Sequence, residues 1–306
     1  MSRKTPQIES KPAISVIGAG RLGTALALAL AAQGYPVEAM VARRLGHAQR
    51  ARRTLAGTGL ALSAGQLKAL PPSKLILITT PDDAIESVAR ELARVQKGMP
   101  GGRTVLHTSG ALSSEVLEPL MDIGFHTGSL HPLVSVSDPV VGAADLRGAF
   151  FCMEGNAAGL RVARQIVRDL GGHGFSIEAG HKALYHAAAV MASGHMTALF
   201  DIAIEMLAHC GLSAPRARKV LLPLVESAAR NLSTMEPARA LTGTFARGDV
   251  ATVRRHLKAL EEQGLPEALA AYVLLGRRSL SLIKRNEPQD AQISKLLQLS
   301  KKGTRR

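Results

Sequence analysis

Apolar runs and mixed stretches alternate along the first half of the chain. Residues 13–17 form a short apolar run that ends in glycines, and residues 22–32 follow as an alanine-rich helix closed by Gly34. Residues 37–42, 75–80 and 104–107 read as further strands, separated by helical or turn segments. Strands are also predicted at 128–130, 149–154 and 174–178, with a helix over 157–170 between the last two. Strands alternating with helices in this order predict a parallel, doubly wound sheet.

Past residue 178 the strand signals stop. Helices are predicted over 182–210, 214–233, 250–263 and 266–283, punctuated by glycines and prolines. In the third of these Val250, Val253, Leu257 and Leu260 recur at helical spacing, and Asp249 stands at the N-cap position. The expected architecture is an α/β Rossmann domain over residues 1–178 followed by an all-α domain over 179–306. A chain of 306 residues suits two cores better than one.

Composition sharpens this picture. Apolar residues make up 46% of the chain and charged residues 20%, the balance of a globular protein. Aromatics are only 3% with no Trp, so Leu, Ala, Val and Ile must fill the core. Cys152 and Cys210 match no metal or redox spacing and are expected to be buried thiols in a reducing cytosol; no metal site is expected. Residues 1–12 carry Arg3, Lys4, Glu9 and Lys11 and lack the apolar stretch of a secretory signal. No stretch reads as the ~20 apolar residues of a membrane span, so a cytoplasmic protein is expected.

The net charge of +14 raises the question of nucleic acid. Much of the excess lies in Arg43, Arg44, Arg50, Arg52 and Arg53, and in a tail with Lys295, Lys301, Lys302, Arg305 and Arg306 that is expected to be solvated and frayed. No basic stretch is interleaved with aromatics for base stacking, so an anionic small ligand accounts for the arginines better.

Gly18-Ala19-Gly20-Arg21-Leu22-Gly23 is a G-x-G-x-x-G sequence between a strand and a helix. In that context the glycines serve a tight turn, close approach of a pyrophosphate and close helix–strand packing. A carboxylate that would accept from the ribose hydroxyls is missing at the end of the second strand, where Arg43 and Arg44 stand instead. Guanidinium groups there favour a ribose 2′-phosphate, hence NADP(H) over NAD(H). Thr80 and Pro81 follow another strand end and are candidates to line the nicotinamide ribose, while Asp82 and Asp83 read as helix caps. Ser109, in His107-Thr108-Ser109-Gly110, lies at a further strand end and is a cofactor candidate.

The strings GAGRLG, TTPDDAI, HTSGAL, SLHPL, EAGHKALYHAAAVMASGH and ALTGTFARGD occur together. In combination they resemble bacterial Rossmann-like oxidoreductases with a helical C-terminal domain, domain of unknown function 2520. That family is similar to pyrroline-5-carboxylate reductase, the 3-hydroxyacid dehydrogenases and the deazaflavin-dependent NADP reductases. The resemblance runs from about residue 13 to 265 and implies NADP binding and a helical dimerisation domain, with no substrate attached. Two positions depart from the family strings: Thr244 stands where proline is usual, and Gly194 where asparagine is usual.

Lys182 and His186 are four apart on one predicted helix and so share a face. Either can supply the proton that accompanies hydride reduction of a carbonyl or imine. Ser129-Leu130-His131-Pro132 is similar to the His-Pro segment of prephenate dehydrogenases, which makes His131 the third catalytic candidate. Arg247 is a candidate for a substrate carboxylate, or a loop arginine bonded to Asp249. The favoured reading is an NADP(H)-dependent oxidoreductase acting on a small, acidic carbonyl, imine or hydroxy compound, dimerised through its helices. The alternatives are a non-catalytic dinucleotide sensor and a basic protein using the fold as a nucleic-acid scaffold.

Overall fold

The computed structural model describes residues 10–99, 101–283 and 287–303. Arg3, Lys4, Glu9, Arg305 and Arg306, singled out above, lie outside these residues. The chain divides into two compact units, residues 1–191 and 192–306.

The first unit is built on one eight-stranded sheet in the order β3-β2-β1-β4-β5-β6-β7-β8. The strands are β1 (Ile14–Ile17), β2 (Val37–Ala42), β3 (Leu60–Ser63), β4 (Leu75–Ile78), β5 (Thr104–His107), β6 (His126–Pro132), β7 (Phe150–Gly155) and β8 (His173–Phe175). All neighbours run parallel except β6 and β7. Its helices are α1 (Arg21–Ala32), α2 (Leu45–Thr54), α3 (Asp82–Gln96), α4 (Glu118–Met121), α5 (Pro139–Asp145), α6 (Ala157–Asp169) and α7 (Lys182–Ala192).

β4 is apolar at every position and β1 departs only at Ser15, because helices cover both faces of the sheet. Side chains alternate between two cores. Ile14, Val16, Leu75 and Leu77 pack with Leu26 and Leu30 of α1 and Ile166 of α6, whereas Ile17, Ile76 and Ile78 pack with Ile85 and Leu92 of α3. Each such fully buried side chain contributes about 1.5–3 kcal/mol. β3 carries no such signature: only Leu62 is buried in this edge strand, and a half-exposed tetrapeptide is not legible as a strand from its sequence.

The second unit contains α8 (Gly194–His209), α9 (Ala214–Thr234), α10 (Pro237–Ala240), α11 (Thr244–Arg247), α12 (Val250–Glu262), α13 (Pro266–Ile283) and α14 (Pro288–Gly303). Asp249 caps α12 by accepting from Thr252 N at 3.0 Å and Thr252 Oγ1 at 2.7 Å. Val253, Leu257 and Leu260 then meet Leu269 and Val273 of α13 and Ile293 and Leu297 of α14.

Four expectations are corrected. The basic tail is no frayed end through residue 303, because α14 carries Ile293 and Leu297 fully buried in this core. Cys210 is exposed and free, since it caps the outer end of α8 where little packs over it. The helix predicted over 182–210 breaks at Ser193, whose backbone leaves helical geometry at φ −123°, ψ −69°. The helical stretch Ala179–His209 is, by length and composition, long and apolar enough to cross a membrane, with none of its most apolar window buried.

Candidate functional site

Chain ends at the carboxyl edge of a doubly wound sheet are where ligands bind. At the end of β1, Gly18 takes φ +120°, a value side chains rarely adopt, and a Cβ there would lie 2.5 Å from Thr79 C. A Cβ on Gly23 would lie 2.0 Å from Gly18 O. These two glycines are demanded by backbone packing between β1, α1 and β4. Thr79 locks the contact, its Oγ1 donating to Gly18 O at 2.6 Å. Gly20 is different. A Cβ there would meet nothing within 4 Å, so its missing side chain leaves open space above the turn.

No side chain caps α1 at Gly20, and the first helical amides therefore keep their capacity for an anion. Arg21 is exposed at the start of α1, and Leu22 turns its side chain into the core.

A cavity of about 620 Å³ opens from this point, bordered by Gly18, Gly20, Arg43, Arg44, Thr80 and Pro81. Leu67 and Val88 add apolar surface at its walls. β2 ends at Ala42, so Arg43 and Arg44 fall directly at the rim. Neither forms an ion pair among the described residues. The Thr80 hydroxyl is buried and has no partner among the described residues. A buried hydroxyl left without a partner costs about 1–3 kcal/mol unless a ligand takes it. The open space over Gly20, the uncapped amides, the unpaired arginines and this hydroxyl fit a phosphorylated dinucleotide.

The ends of β5 and β6 are organised differently. Ser109 is buried, its Oγ donating to Asp82 Oδ2 at 2.8 Å and accepting from Ala111 N at 3.1 Å and Leu112 N at 2.9 Å. The hydroxyl is thus spent within the protein, and the side chain does not border the cavity. His107 is fully buried: Nδ1 accepts from Ser109 N at 3.1 Å, and Nε2 meets Ser113 O at 3.2 Å. Burial, aided by the nearby Lys182 charge, pushes its pKa down to about 3, so the ring stays neutral.

α7 brings Lys182 over these strand ends. At 1% exposure, its Nζ donates to Ser129 Oγ at 2.6 Å and Ser109 O at 3.0 Å. Burial draws the ammonium pKa below its ordinary value, against the opposing pull of Cys152, Glu154 and Asp82. One turn on, the Tyr185 hydroxyl shares a 2.7 Å hydrogen bond with His131 Nδ1, and His186 stands edge-on to His131 with centroids 5.6 Å apart. Desolvation, then His186 and Lys182, lower the His131 pKa to about 4. Burial and the Cys152 thiol hold the Tyr185 phenol protonated far above its usual range.

Gly110 makes this convergence of rings possible. A Cβ there would lie 2.4 Å from His186 Nδ1 and 2.8 Å from His131 Nε2. His186 Nδ1 is buried without a partner among the described residues. Lys182, His186 and His131 therefore meet in one cluster, while Gly18, Gly20, Arg43, Thr80 and Pro81 meet in the cavity. Tyr185, Ser129 and Gly110 join them without having been assigned roles from sequence, and Asp82, expected as a helix cap, lies in the first turn of α3 behind Pro81 and accepts from Ser109 instead. A helical i, i+3 reading from Lys182 points to Tyr185, but only the fold pairs it with His131.

A glycine turn at the end of β1, an uncapped helix behind it and a cationic end to β2 define a Rossmann-type dinucleotide-binding protein. Residues 4–132 match a Rossmann-like domain and residues 149–279 match the domain of unknown function 2520, so the chain joins these two domains. The second match begins inside the sheet, at β7. No curated protein sequence matches the chain. Among solved structures, it is similar to an NADP oxidoreductase from Bacteroides fragilis (24% identity, 90% of this chain and 99% of that one, TM-score 0.73). A reductive aminase from Aspergillus terreus in complex with NADPH and ethyl levulinate is also similar (17%, 94% and 99%, TM-score 0.59). So is a pyrroline-5-carboxylate reductase from Coxiella burnetii (16%, 90% and 100%, TM-score 0.56). At these identities the likeness is one of fold.

Proposed function

We propose that the protein is an NADP(H)-dependent oxidoreductase acting on a small carbonyl, imine or hydroxy compound. The observation that carries this reading is the cavity over Gly20, which has two unpaired arginines at one end and the partnerless Thr80 hydroxyl beside Pro81. Proteins of the same fold include one crystallised with NADPH, which agrees with it. Bound cofactor supplies or accepts the hydride.

The chain's own residues orient the substrate and manage the proton. Arg43 would hold the ribose 2′-phosphate, and Thr80 and Pro81 would line the nicotinamide ribose. Lys182 holds a proton on Nζ, and its lowered pKa eases release of that proton in the direction of reduction. His131 is neutral and can hydrogen-bond a substrate oxygen while Tyr185 holds the far side of its ring. His186 offers Nδ1 as a second contact. A substrate bearing a carboxylate suits the net charge of +14. Dimerisation through the helices would cover Leu184, Met191 and Met196, which are 73%, 67% and 52% exposed.

A parallel fluorescence titration with NADPH and NADH tests the cofactor assignment. Arg43→Asp should weaken NADPH about 10- to 100-fold, the loss of one charge-assisted contact plus a repulsion, and leave NADH nearly unchanged. Failure of both nucleotides to bind wild-type protein would sink the enzyme reading altogether.

A further inference from the structure

The hydrogen bond between Tyr185 and His131 has a direction. At 2.7 Å it joins the phenol hydroxyl to Nδ1, with the two rings edge to face at 89°. Phe175 of β8 packs edge-on against the same phenol, with centroids 5.9 Å apart. His131 is neutral: it forms no ion pair among the described residues, and burial, then His186 and Lys182, lower its pKa to about 4. Tyr185 keeps its proton, because burial and Cys152 raise its pKa far above the usual range. Of such a pair the phenol is the better donor and the bare imidazole nitrogen the better acceptor. Cys152 is the other group acting on the hydroxyl, and a thiol is only a weak acceptor. The phenol proton therefore lies toward Nδ1, and the one proton of the neutral ring is left on Nε2.

The geometry points to Tyr185 as a positioning residue that fixes His131 as an Nε2–H donor, and so to a carbonyl oxygen, not an imine nitrogen, as the substrate atom that His131 meets. This rests on the oxidoreductase reading above and narrows its substrate class. Nε2 forms no hydrogen bond among the described residues and its ring is only half-buried, whereas His186 Nδ1, the other nitrogen beside Gly110, is buried. His131 and Ser129 are two apart on β6 and project from one face, which sets the ring on the side where Ser129 Oγ holds Lys182 Nζ. Both His131 and Lys182 present protons there. The two carboxylates that act on Lys182 are occupied, Asp82 by Ser109 Oγ at 2.8 Å and Glu154 by Ser114 N at 2.6 Å and Ser114 Oγ at 2.8 Å. A carbonyl oxygen accepts from such donors, whereas an iminium presents an N–H of its own and finds no acceptor among them. As the carbonyl carbon gains hydride, the C=O π pair moves onto oxygen, which keeps the Nε2–H bond and takes its proton from Lys182 Nζ; water then reprotonates the amine.

The first readout needs no substrate: the tautomer of His131 in the full chain at pH 7, by nitrogen NMR of histidine-labelled protein, with the signal assigned from His131→Asn. Wild type should show one tautomer, protonated on Nε2, and Tyr185→Phe should lose it to a mixture of both. A proton on Nδ1 in wild type, or the same single tautomer in Tyr185→Phe, would overturn the assignment. The second readout is NADPH oxidation with ketones and α-keto acids as probes, each alone and with methylamine, which converts part of it to the imine. Oxidation should be faster without the amine, and Tyr185→Phe should lower kcat about tenfold, a fraction of what a full oxyanion donor is worth, while NADPH affinity is kept. Faster oxidation with methylamine would overturn the choice of oxygen over nitrogen. Protein that binds neither NADPH nor NADH sinks the cofactor reading instead, and the tautomer is measured without either.

Discussion

At the ends of β1, β2 and β4 the edge of the sheet is left unsatisfied: arginines without carboxylates, a hydroxyl without a partner, a helix without a cap. At the ends of β5 and β6 the same edge is closed, and Lys182, Ser109, His107 and His131 are bonded to one another's neighbours before any ligand arrives. The difference follows from what each end must do. A large anion is best met by donors that gain their partners on binding, whereas groups that hold and move protons need fixed positions and perturbed pKa values. Apart from Gly18 and Gly23, which its backbone packing demands, the open end is therefore tolerant of substitution in stability and sensitive in binding. The closed end should behave in the opposite way.

Lys182→Ala tests the closed end most severely. It strands the Ser109 carbonyl and Ser129 hydroxyl, both buried, and leaves a void, so a loss of about 3–5 kcal/mol in unfolding free energy is expected by denaturant titration. Gly23→Ala forces a methyl to within 2.0 Å of Gly18 O, and should cost about 1–3 kcal/mol together with NADPH binding. An alanine tolerated at position 23 would show that the glycine turn is looser than described.

Acid sensitivity belongs to the closed end as well. His107 and His131 titrate near pH 3 and 4 in the folded protein, below the ~6.5 of an unfolded histidine. The unfolded state therefore binds more protons between these values, and stability present at pH 7 is lost as pH falls through 6.5 toward 4. Each such group contributes up to about 1.4 kcal/mol per pH unit across its window. Thermal unfolding from pH 7 to 5 should show this fall, and His131→Asn should make it shallower. Tyr185→Phe removes one hydrogen bond to His131 and is expected to cost about 1 kcal/mol while NADPH affinity stays unchanged. The smallest effect on stability is expected for Gly20→Ala, where a methyl meets no atom within 4 Å. Its melting temperature should match wild type, and its loss should appear in dinucleotide binding alone.

The glycine turn, the arginines after β2 and the helical second half were legible because each depends on local spacing. A turn that needs φ +120° declares itself as glycine, and a buried parallel strand declares itself as an unbroken apolar run. β3 and α14 were not legible, since a half-exposed edge strand and a basic amphipathic tail meet distant apolar partners only through a few side chains of their own, Leu62 in one case and Ile293 and Leu297 in the other. Lys182, His186 and His131 were nameable as types of residue. That Lys182 is sealed against Ser109 and Ser129, that Tyr185 holds His131, and that Gly110 admits two imidazoles was decided by tertiary structure. These contacts join residues 21 to 76 positions apart in sequence, and no periodicity encodes a register between β5, β6 and α7. Sequence set which chemistry was available; packing determined which groups were left free to perform it.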